Sequence, residues 1–141
     1  MYIYERMHAD SARSFTGGAP GYIYAASYMG AEEYKGGSWN VVCARAPAPG
    51  ECPSWLTTSI SFPNTVANVV AIGCSPDESW ACDDLYYLWR KPNVDCADTT
   101  WVRASGPDAP ALPKKIVVDS ARGVYLLGTD AHLHHRLELC C

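Results

Sequence analysis

The densest chemistry in the chain lies near its end, in the run AHLHHRLELCC from Ala131 to Cys141. In an extended strand alternate residues share a face, which puts His132 and His134 about 7 Å apart on one side at a rise of ~3.3 Å per residue. Two neutral imidazoles at that separation can reach one zinc or copper ion, with thiolate or carboxylate completing the set. Cys140 shares their face but stands roughly 20 Å further along at the same rise, too far without a bend. The pair therefore needs a ligand from elsewhere, and Asp130, Asp119 and His8 are at hand. This makes a small metal-dependent enzyme or metal-binding protein using His132 and His134 the alternative functional reading. The plainer expectation is a row of solvated polar groups opposite a core face made of Leu133, His135, Leu137, Leu139 and Cys141.

A second group is acidic. Asp77, Glu78, Asp83 and Asp84 crowd the segment SPDESWACDD, with Asp95 and Asp98 following. Carboxylate-rich loops can wrap calcium with six to eight oxygens, although no D-x-[DN]-x-[DN]-G spacing is present. Trp80 stands among these acids. On a β scaffold an exposed indole beside Asp and Glu makes the stacking and hydrogen-bonding surface a sugar needs. Trp80, Asp77, Glu78, Asp83 and Asp84 therefore form the expected ligand site, with glycan as the ligand. Trp39, Trp55, Trp89 and Trp101 read as core, standing in for scarce aliphatic residues.

Catalytic signatures are lacking in the sequence: it has no G-x-S-x-G, P-loop, H-E-x-x-H or G-x-G-x-x-G pattern. The 11 Lys and Arg are scattered and the net charge is −4, which excludes a basic nucleic-acid binder. No apolar run is long enough for a membrane-spanning helix. The balance favours a non-catalytic protein.

Seven cysteines, Cys43, Cys52, Cys74, Cys82, Cys96, Cys140 and Cys141, are dense for 141 residues and point to an oxidising, extracellular compartment. Against that, the opening MYIYERMHADS shows no apolar signal region; either the numbering begins at a mature or recombinant start, which is the expectation, or the protein is never secreted. Short intervening turns favour Cys43–Cys52 and Cys74–Cys82 bridges, leaving Cys96 to close on Cys140 or Cys141. An odd count leaves one thiol for another chain.

The elements that must position these groups are short. Pro and Gly punctuate the chain every 8 to 15 residues, the spacing of an all-β domain. Candidate strands are Tyr2–Met7, Tyr22–Tyr28, Ser38–Arg45, Trp55–Phe62, Val66–Ile72, Leu85–Arg90, Thr100–Ala104, Lys115–Asp119, Val124–Leu127 and His132–Leu139. The last three form a meander. At most one short helix fits, over Ala25–Tyr34, where Gly30 opposes it. The expected fold over 1–141 is a single antiparallel β-sandwich or jelly roll of about ten short strands, stabilised by disulfides. The functional expectation is an extracellular binding module for glycan, or a structural subunit self-assembling through the edge strands Tyr2–Tyr4 and Tyr22–Tyr28.

Overall fold

The computed structural model describes residues 12–16, 22–29, 38–45, 54–58, 68–97, 100–104, 109–119, 121 and 123–137; before residue 68 it describes backbone and the Val41 and Cys43 side chains. The described residues are all-β, without a helix. Eleven strands form three antiparallel sheets in chain order, each a simple meander. Sheet 1 holds β1 (Ala12–Thr16), β2 (Tyr22–Met29), β3 (Ser38–Arg45) and β4 (Ser54–Thr58). Sheet 2 holds β5 (Val69–Cys74), β6 (Ser79–Asp83), β7 (Leu88–Lys91) and β8 (Val102–Arg103). Sheet 3 holds β9 (Pro113–Val118), β10 (Val124–Gly128) and β11 (Leu133–Arg136).

This differs from a two-sheet sandwich. Sheets 1 and 2 meet mainly where β5 lies against β1, β2 and β3; sheets 2 and 3 meet where β9 lies against β5 and β6. The first strands of successive sheets thus run side by side, and the sheets fan outward from them. Two separate cores fill the wedges. Val41, Cys43, Val69, Ile72, Cys74, Ala81, Trp89 and Trp101 pack between sheets 1 and 2. Ala71, Trp80, Cys82, Leu88, Ile116, Val118, Val124 and Leu126 pack between sheets 2 and 3. Trp89 and Trp101 are core residues, as expected; Trp39 and Trp55 have side chains outside the described set.

Sheet 2 is covered on both faces, and all five residues of β6 are buried. A strand buried on both sides does not alternate, which explains why SPDESWACDD reads as a polar loop in the sequence when its centre is a strand. Conversely, β2 pairs with both β1 and β3, so the segment Tyr22–Met29 offers no free edge for assembly, and it takes up as strand the first part of Ala25–Tyr34, where the sequence allows one short helix. Tyr2–Met7 lies outside the described residues.

The cysteines pair differently from the short-turn expectation. Cys43 of β3 is bridged to Cys96, with α-carbons 5.5 Å apart, which ties sheet 1 to the loop after β7. Cys74 and Cys82 are both buried and are not bridged to each other. In the β5–β6 register Cys74 faces Ser79 and Cys82 faces Ala71, and the two thiols enter opposite cores. Sulfurs on opposite faces of a sheet cannot meet, however short the turn between them. Cys52, Cys140 and Cys141 lie outside the described residues.

At Gly73 the backbones of β5 and β9 come close. A Cβ there would stand 2.8 Å from the Ile116 carbonyl carbon, with the carbonyl oxygen in the way as well. Alanine in a strand ordinarily gains about 0.5–1 kcal/mol over glycine. Here the sign reverses: Gly73→Ala lowers the unfolding free energy by about 2–3 kcal/mol through overpacking, read from urea titration. An unchanged or raised midpoint would refute the close approach of the two strands.

Candidate functional site

The acids predicted to meet a ligand are mostly occupied with the protein's own backbone. Asp83, fully buried, accepts from Leu85 N at 2.9 Å and Tyr87 N at 3.1 Å through Oδ1, and from Trp89 Nε1 at 2.8 Å through Oδ2. That arrangement closes the β6–β7 hairpin, where Tyr86 has φ 71°. Asp84 accepts from Asn68 N at 3.0 Å and Asn68 Nδ2 at 3.1 Å. Asp77 is exposed in the β5–β6 turn, its amide donating to Ser75 Oγ at 3.2 Å. Side-chain oxygens that capture amides two residues on are standard turn chemistry. Asp95 follows the same pattern with Ala97 N at 3.0 Å, and Asp98 lies outside the described residues. These carboxylates do not converge on a calcium position.

Glu78 and Trp80 are brought together, though differently from a sugar platform. Trp80 is 4 % exposed. Its Nε1 donates to Glu78 Oε1 at 3.0 Å, and Arg90 Nε donates to Glu78 Oε2 at 2.6 Å. The Arg136 guanidinium lies 5.2 Å from the Trp80 ring centre, a cation–π contact between sheets 3 and 2. These residues line a groove of about 790 Å³ where the two sheets diverge, together with Arg103 and Val102. The expected exposed indole is therefore absent at Trp80; its ring seals the inter-sheet wedge.

The β9–β10 turn is closed by Asp119, whose Oδ1 accepts from Gly123 N at 2.7 Å and Ala121 N at 2.9 Å. Asp119 Oδ2 receives the Tyr125 hydroxyl at 3.2 Å. The Gly123 amide above all holds the Asp119 carboxyl below its usual range, and the bond to that carboxylate raises the Tyr125 phenol. Asp119 thus stabilises a turn and is far from being the missing metal ligand.

The β10–β11 turn does gather one. Ala131 adopts φ 66°, a left-handed conformation that folds Asp130 back over the outgoing strand. Asp130 Oδ1 accepts from His132 N at 3.0 Å. Its Oδ2 lies 3.0 Å from His134 Nε2 and 3.5 Å from His132 Nδ1. The His132 amide first, then the two imidazoles, keep the Asp130 carboxyl below the usual range. Asp130, His132 and His134 are the one grouping of three potential metal ligands among the described residues, their ligand atoms within 4.8 Å of one another. Sequence spacing singles out the two histidines; picking Asp130 over Asp119 requires the Ala131 turn.

One expectation for β11 is inverted. Leu133 and Leu137 are 72 % and 71 % exposed, while His134 and Arg136 are half-buried on the side facing sheet 2. Val124 and Leu126 of β10 pair with Arg136 and His134, which fixes that side as the inner one. The outer face of sheet 3 carries Val117, Tyr125, Leu127 and Leu133, with His135 stacked on Tyr125 at 4.4 Å. Glu138, Leu139 and the terminal cysteines lie outside the described residues. The described residues contain no helix long and apolar enough to cross a membrane.

Among solved structures the chain is similar to one described as YCF48 bound to D1 peptide, with a TM-score of 0.60 and 8 % identity. The match covers 90 % of this chain and 38 % of that one, so the chain spans well under half of its length. At such identity the likeness concerns fold alone. No family model and no curated protein matches the sequence.

Proposed function

We propose that the chain is a structural assembly subunit: an arc of a β-propeller whose sheet 3 is covered by sheet 1 of a second copy. Radial stacks of four-stranded meanders close only at about four to eight blades. The three sheets among the described residues make an open arc, and two such arcs facing each other supply six sheets, enough to close a ring about a two-fold axis. The observation that carries the reading is the exposed outer face of sheet 3, where Val117 and Leu127 are 49 % and 41 % exposed beside the still more open Leu133 and Leu137, with Lys115 and His135 as the polar groups among them. The opposite face of the same sheet is buried against sheet 2. Leu133 at the start of β11 and Leu137 just past its end are both exposed, with His135 between them. The Cys43–Cys96 bridge supports an extracellular setting.

Light scattering on the oxidised protein is expected to give about twice 15.4 kDa at micromolar concentration. Leu127→Glu with Leu133→Glu should yield a monomer with an unchanged far-ultraviolet spectrum, because both side chains are already exposed. A monomeric wild type, or a dimer indifferent to the two substitutions, removes the reading.

A further inference from the structure

The β10–β11 turn carries a second feature, independent of the uncovered face. We infer that Asp130, His132 and His134 form a binding site for a divalent first-row transition metal, with zinc as the best-matched ion. Zinc bonds of ~2.0–2.2 Å at tetrahedral angles place neighbouring ligand atoms about 3.4 Å apart. The 3.0 Å and 3.5 Å separations from Asp130 Oδ2 to the two imidazoles bracket that value. The widest separation of ligand atoms, 4.8 Å at most, closes by small side-chain rotations. Two imidazoles and a carboxylate are a normal zinc set, and three protein ligands leave one position for water or an incoming group.

Part of the site is preorganised. The bond from His132 N fixes Asp130 Oδ1, which leaves Oδ2 directed at both rings. His134 is anchored in β11 by its register with Leu126, and its side chain is 26 % exposed. His132 is more open, at 75 %, and gives the ion an entry path. The neighbouring His135 belongs to the other face, stacked on Tyr125, and lies outside the set.

Cobalt(II) and zinc titrations on the full chain test this directly. Cys140→Ser with Cys141→Ser is used as the background, so that terminal thiols do not compete for the ion. The expected result is one ion per chain, with cobalt giving the intense visible bands of a four-coordinate site. His132→Ala and His134→Ala should each weaken uptake roughly tenfold or more, Asp130→Asn should weaken it as well, and His135→Ala should leave it unchanged. Circular dichroism confirms that each variant keeps its sheets. No saturable uptake up to millimolar metal, or uptake that survives His132→Ala and His134→Ala together, overturns the proposal. The assembly substitutions at Leu127 and Leu133 do not touch these ligands, so the two ideas stand or fall separately.

Discussion

Replacing Cys43 and Cys96 together by serine is expected to lower the unfolding free energy by about 4 kcal/mol. The bridge closes a separation of 53 residues, and loop-closure entropy for a ring of that size is worth roughly 4 kcal/mol in the denatured chain. The partner loop is also held in place by its own hydrogen bonds. Lys91, fully buried, donates Nζ to Asn93 Oδ1 at 2.9 Å and to the Asp95 carbonyl, while Asp95 N donates to Asn93 Oδ1 at 3.1 Å. That network presents Cys96 to the sulfur of β3. Urea unfolding of the oxidised wild type, the reduced wild type and the double serine variant should show the last two coinciding, well below the first. A difference under about 1 kcal/mol would mean that the two inter-sheet cores suffice without the bridge.

The second large effect belongs to Asp83. Asp83→Ala should cost about 3–5 kcal/mol, because it strands three donors at once in a buried turn, each at roughly 1–3 kcal/mol. Those donors are the Leu85 and Tyr87 amides and the Trp89 indole. Asp83→Asn should lose less: its carbonyl still accepts both amides, while its NH₂ group faces the indole donor. Trp89→Phe removes the third donor, so a double-mutant cycle between positions 83 and 89 should give a coupling of about 1–2 kcal/mol. Equilibrium unfolding measures all four corners. If Asp83→Ala were nearly neutral, water would have to reach the turn and satisfy the amides in its place.

Much of the strand order was legible before any coordinates. Ser38–Arg45 is read to the residue, and the final meander is found because three short β-prone runs, the last of them alternating, are separated by Gly- and Asp-bearing turns. Two kinds of information were not. Periodicity reveals that a strand has two faces but not which one this chain covers, so β11 was assigned the wrong interior. It also vanishes where both faces are buried, so β6 and Trp80 passed for a polar loop. Sulfur pairing failed for a related reason: short loops rank bridges by entropy, whereas the opposite-facing Cys74 and Cys82 are separated by geometry. The paired histidines were visible from spacing alone. Their carboxylate partner depends on one left-handed residue, Ala131, and alanine does not announce that conformation.

The division of the interior into two wedges also shapes how the molecule breathes. Among the described residues the main contacts of each sheet are with its immediate neighbours, as in a one-dimensional array of coupled units. Sheet 2, gripped from both sides, should hold its amide protons longest, and sheet 3 should release its own first, in excursions that leave the rest of the stack intact. Anything that settles on Leu133 and Leu137 would then be felt beyond its footprint, as slower hydrogen exchange spreading inward from β11 toward β5.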